Sequence, residues 1–220
     1  EFRRVLFRSI LAKSNFVLAA LDHLIGGQTG LNAQQRSLAD RVTVALYRRY
    51  AAERGPMPTF LDLRDGLIAT GDPVGAQMGA ALELYTVGSL NTFSQQTNVD
   101  TNARLFSWDI NQLGSELKSF GMMVVLDQVW QRIVRTRAIG RRTWVYVDEF
   151  HLLLVDRFLS EFFRTLWARV RKYGANATGI TQNIEAVLAH EDARLMLANS
   201  DFLALLGQNP TDADALVELL

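Results

Sequence analysis

No cysteine occurs in the 220 residues, so the chain can build neither a disulfide framework nor a thiolate metal site, a composition that suits a reducing cytoplasm. Histidine is nearly as scarce, and His23, His151 and His190 are too scattered to suggest a metal cluster. Neither sign of charge is in excess: 23 Lys plus Arg balance 23 Asp plus Glu, which leaves no global field to recruit nucleic acid or an anionic membrane. Any such contact has to be local. No apolar run approaches the roughly 20 residues that cross a bilayer, and there is neither an internal repeat nor a low-complexity tract. What is present is 49% hydrophobic residues, ordinary for a globular protein and enough for one sizeable α/β core or two small lobes.

The opening nine residues, EFRRVLFRS, read as the translation of a sequencing adapter, and Glu1 to Ser9 are expected to be foreign to the natural protein. The natural frame then enters near Ile10, already inside a helical pattern, so the chain is expected to be a fragment. Helical signals continue to about Tyr85. SNFVLAALDHLIGG ends in paired glycines, NAQQRSLADRVTVALYRRYAAERG runs from an Asn cap to a glycine stop, Thr59 offers a cap before Phe60, and a last helix covers about Pro73 to Tyr85. No convincing strand precedes residue 90.

Beyond that point the pattern alternates. Short apolar runs at 104–110, 143–147, 177–181 and 201–207 are separated by helical segments. One helix is expected over 112–137, with Leu117, Gly121, Val125, Val129 and Ile133 on one stripe. A second is expected over about 156–173, with Leu159, Phe162, Leu166, Val170 and Tyr173 on one face. Strands spaced by helices predict a parallel sheet covered on both faces, with ligands at the carboxyl ends of its strands.

The stretch TWVYVDEFHLLL places Asp148 and Glu149 at that end of the most apolar strand. Apolar positions followed by Asp-Glu form the Walker B pattern, in which Asp holds Mg²⁺ through water and Glu orients or deprotonates the attacking water. The competing account is a strand whose acids mark its exit to solvent, and short patterns of this kind recur by chance. TGITQN brings Thr181 and Gln182 to the end of the next strand, beside Glu149 in a parallel sheet; a Gln amide can bridge a γ-phosphate and a lytic water, or simply cap a strand. Arg169, Arg171 and Lys172 end the intervening helix, where the helix dipole alone favours cations. The sharper reading makes one of them an arginine finger reaching a neighbouring subunit. Arg132, Arg135, Arg137, Arg141 and Arg142 read as a solvated helix end or a subunit contact ahead of a nucleic-acid patch, since no aromatics interleave. GGQTG at 26–30 lacks the Lys-Ser or Lys-Thr of a phosphate loop and reads as a turn, and His151 reads as a structural or supporting residue rather than a base.

Taken together, these segments closely resemble the ATPase of conjugative type IV secretion systems, the VirB-four family, in the form carried by integrative elements of Gram-positive bacteria. The similar text runs from about Gly26 to Leu220 and includes LELYTVGSLNTFSQQTNVDTNARLFSWDINQLG, GMMVVLDQVW, YVDEFHLLL, RKYGANATGITQN and NSDFLALLGQNPTDADAL in one order. The resemblance implies an α/β fold: a RecA-like P-loop NTPase core of the HerA/FtsK superfamily with a parallel sheet, part of it missing upstream, plus an N-terminal all-helical lobe. It implies a lobe over 10–90 and an ATPase core over 91–220, truncated at both ends, with the Walker A loop upstream of the chain.

The same resemblance implies ATP and Mg²⁺ as cofactors, Asp148 and Glu149 as the Walker B pair, Gln182 as the sensor glutamine, and Arg169 and Arg171 as the basic residues before it. The parent would be a hexameric ATPase, cytoplasmic and peripherally associated with the cell membrane, working with other secretion subunits at its inner face, and DNA contact is open. The fragment itself is expected to be inactive. Where the family commonly has Asp-Arg, this chain has Asp212-Ala213. A cytoplasmic DNA pump of the HerA/FtsK type, or a non-hydrolysing scaffold subunit, are the alternatives.

Overall fold

The structure, a computed structural model, describes residues 2–98, 103–110 and 112–207. The chain divides into two compact units, Glu1–Gly121 and Met122–Leu220, and the division falls within a long helix.

Among its described residues the first unit is helical throughout: α1 (Phe2–Ile25), α2 (Ala33–Glu53), α3 (Phe60–Ala69), α4 (Pro73–Thr86) and the start of α5 (Ser115–Ala138). Local chemistry fixes the helix starts. Asn32 accepts from the Gln35 N–H at 2.9 Å while its own N–H donates to Gln35 Oε1 at 2.9 Å, and Thr59 and Asp62 form the same reciprocal box before α3. Asp72 caps α4, with Pro73 in the first turn. The stop of α2 falls one residue earlier than the glycine signal: Arg54, not Gly55, takes the left-handed conformation at φ 53°. Leu21, Leu38, Leu67, Met78 and Leu82 lead the core of this unit, and Phe120 meets Phe60 and Phe93 edge-on. The 26–30 segment is a turn, held by Asp22, which accepts the Leu31 N–H at 2.7 Å and pairs with Arg36.

The second unit carries the sheet. The remainder of α5 leads to β1 (Thr143–Val147), α6 (Arg157–Arg169), a 3₁₀ turn at Val170–Tyr173, β2 (Ala175–Gly179), α7 (Ile184–Leu188) and α8 (Glu191–Ala198). β1 and β2 pair in parallel with Thr143 opposite Ala175 and Val147 opposite Gly179. In this register Val145, Val147 and Ala177 pack onto a core built from Leu126, Val129 and Ile133 of α5, Phe163 and Leu166 of α6, and Met196 of α8. Ser160 and Arg164 of α6 tie to Asp192 of α8 at 2.8 and 3.0 Å.

The fold is mixed α/β with a small parallel sheet, as expected, but three details differ. The apolar runs at 104–110 and 201–207 join no ladder among the described residues; Leu105 and Phe202 are about nine-tenths exposed. Apolar content marks a segment that gains from burial, and does not specify which backbone it pairs with. β2 begins at Ala175, two residues before the expected run, because ladder pairing with β1 sets its bounds rather than side-chain character. The sheet is covered on one face only among the described residues: Trp144 and Tyr146 on β1, opposite Asn176 and Thr178 on β2, are exposed. No helix among the described residues is long and apolar enough to cross a membrane.

Candidate functional site

The carboxyl edge of the sheet is assembled by backbone hydrogen bonds that continue past the strands. Ile180 N–H donates to Val147 O at 2.8 Å, and Phe150 N–H donates to Ile180 O at 2.9 Å, so the residues following β1 and β2 are held side by side. Between them Glu149 turns the chain at φ 48° and ψ 42°, a left-handed conformation that costs a non-glycine residue about 1 kcal/mol or more. Phe150 anchors the turn. Its buried ring packs on Phe163 and Trp167, with centroids 5.4 and 5.1 Å away, and lies against Gly179.

This framework brings three of the expected site residues together. Asp148 is exposed and its carboxylate accepts the Glu149 N–H at 3.0 Å. The Gln182 side-chain amide donates to Glu149 Oε1. The other carboxylate oxygen, Oε2, lies 3.5 Å from His151 Nδ1, and that nitrogen is 3.0 Å from the Thr181 hydroxyl. Carboxylate and amide together offer acceptors and a donor converging on one exposed spot, the equipment needed to hold and polarise a water.

Arg169 and Arg171 are elsewhere. Both precede β2, at the amino edge of the sheet, so a five-residue strand of about 15 Å separates their edge from Glu149. Arg171 faces Asp201 at 3.4 Å in an ion pair exposed on both sides. Arg141 and Arg142 lie at the same edge, immediately before β1. Arg137 stacks 4.9 Å over Tyr173, whose ring also meets Trp130 at 4.8 Å. The aromatic neighbours missing from the local arginine sequence thus come from the turn before β2 and from within α5. The basic residues of two separate segments share one end of the unit, opposite the acids.

Comparison with known proteins bears on the fold. No family model and no curated protein matches the sequence. The structure is similar to VirB4 of Thermoanaerobacter pseudethanolicus. The match has a TM-score of 0.70 and covers 94% of this chain at 21% identity. It covers 59% of the VirB4 chain, so the present chain spans less than two thirds of that protein. A match of this extent places the chain in a VirB4-like fold.

The donor set suits Mg²⁺ with a nucleotide. Mg²⁺ takes one or two carboxylates and completes its shell with water and phosphate oxygens, and Asp148 is an exposed hard donor of that type. No group of three or more candidate ligands gathers among the described residues, as a self-sufficient metal site would require. Phosphate-cradling glycines followed by Lys-Ser or Lys-Thr do not occur in the 220 residues, so the residues present fit the metal-and-water side of such a site alone. The altered pair Asp212 and Ala213 lies outside the described residues, as does the end of the resemblance beyond residue 207.

Two features of the edge were not legible beforehand. The left-handed turn at Glu149 has no glycine to announce it, and the link between Thr181 and His151 joins residues thirty positions apart. The one available signal was the threonine directly before Gln182.

Proposed function

We propose that the chain is part of the ATP-hydrolysing motor of a type IV secretion system, of the kind carried by Gram-positive integrative elements and related to the HerA and FtsK pumps. The observation that carries this reading is the contact of the Gln182 amide with the Glu149 carboxylate, made between the ends of adjacent parallel strands beside an exposed aspartate. The order of motifs in the sequence and the VirB4-like fold support it.

In this reading Asp148 would hold Mg²⁺, Glu149 would orient the attacking water and accept its proton, and Gln182 would fix that water against the terminal phosphate. Bound Mg²⁺ would supply neutralisation of the phosphate charge. Arg169 and Arg171 sit at the opposite sheet edge, which supports a role for one of them on the site of a neighbouring subunit in a ring, and a hexamer is the proposed assembly. In this reading residues 10–90 belong to the helical lobe and residues from 91 onward to the ATPase core, whose first stretch lies within the compact unit that runs to Gly121. The assembled motor is cytoplasmic, attached peripherally to the cell membrane with other secretion subunits, and the arginine-rich edge is where DNA would be met.

The test is Glu149→Gln in a full-length protein that carries a phosphate loop. ATP affinity should persist while hydrolysis falls at least ~10²-fold, because the amide keeps the shape and loses the base. Hydrolysis at the parental rate would remove Glu149 from the mechanism. Absence of hydrolysis in the parent as well would favour a scaffold subunit.

A further inference from the structure

We infer that His151, braced by Thr181, is a positioning residue that sets the direction of the Glu149 carboxylate, an inference that rests on Glu149 being the water-orienting group. A glutamate at an exposed edge samples several rotamers, and its contact with Gln182 is a weak restraint because Gln182 is itself exposed. His151 is better anchored: its side chain is 17% exposed against 37% for Glu149, and it follows Phe150, which is locked into the core.

The hydrogen bonds of Thr181 favour one way of holding the ring. Thr181 Oγ1 accepts the Asn183 N–H at 3.1 Å, so its single proton is free to be donated. Its two acceptors are Asn183 O at 3.3 Å and His151 Nδ1 at 3.0 Å, and the shorter contact is to the ring. A hydroxyl that donates to the ring makes Nδ1 the acceptor, and the clamp then requires the ring proton on Nε2. In that state Nδ1 cannot also donate to Glu149 Oε2, 3.5 Å away. The ring edge acts as a wall, closing one side of the carboxylate's range while Gln182 holds the other oxygen. Glu149 is thereby held from both strand ends, by residues of the turn after β1 and of the segment after β2.

Nitrogen-15 NMR of the 220-residue chain tests this without any need for turnover. The neutral His151 ring should show the Nε2–H tautomer. The Gln182 side-chain amide should carry the proton shift of its bond to Glu149, and that shift should be lost in Thr181→Val and His151→Ala and kept in His151→Asn, whose carbonyl still accepts from Thr181. An Nδ1–H tautomer, or a Gln182 amide indifferent to His151→Ala, would overturn the inference. In the full-length motor the same two damaging variants should lower kcat for ATP about tenfold or more with KM little changed, and the double variant should be no worse than either single. Additive losses would also overturn it. Expected NMR results in a parent that hydrolyses nothing would place the fault in the ATPase reading and leave the clamp standing.

Discussion

Glu149 adopts a backbone conformation that its residue type disfavours, and the strain is held in place by the next residue, Phe150. The ring of Phe150 has no room to give: Phe163 and Trp167 flank it, and a Cβ added at Gly179 would lie 3.2 to 3.6 Å from its atoms. Gly179→Ala should therefore cost about 1–3 kcal/mol of unfolding free energy by overpacking, measurable as a lower urea midpoint at unchanged m. It should also disturb Glu149 and His151, which flank Phe150 in sequence. At this scale the sequence was only partly readable. Asp148, Glu149 and Gln182 are placed together by a parallel register that their strand-end positions imply. The bracing by His151 and Thr181 depends on a turn conformation that no residue type in DEFH announces.

Helices were legible because their information is local. The caps at Asn32 and Thr59 follow from residues three apart, and of the stripe expected along α5 Leu117, Gly121, Val129 and Ile133 are buried while Val125 is half-buried. Two changes to α2 probe that locality. Asn32→Ala should destabilise the first unit by about 1 kcal/mol through loss of the capping box, and Arg54→Gly should stabilise it by a few tenths to about 1 kcal/mol by relieving the left-handed residue at the helix stop. Thermal unfolding followed by helical circular dichroism would read both, with opposite signs. Strands were less legible because pairing is nonlocal. TWVYV and ANATG form a ladder although the second is poor in β-branched and aromatic residues, whereas RLFSWDI, richer in them, forms none among the described residues.

In the second unit, Asp148 and Glu149 lie at one edge of the small sheet and Arg141, Arg142, Arg169 and Arg171 at the other, a polarity that suits head-to-tail contact between copies. In full-length rings, alanine at the arginine that acts in trans should abolish turnover, and mixing with Glu149→Gln subunits should partly restore it at interfaces that combine an intact arginine with an intact glutamate. ATPase assays across mixing ratios would show a maximum between the two inactive ends. Inactivity of every mixture, with rings shown to form, would return Arg169 and Arg171 to their simpler part as cations at a helix end. The face of the sheet left uncovered among the described residues has an optical consequence. Trp144 is 53% exposed there beside Tyr146, so its indole should emit at long wavelength and be quenched by acrylamide, and the difference from Trp144→Phe isolates its signal from the other tryptophans. A blue shift with loss of quenching would report, without any attached dye, the moment at which that face becomes dry.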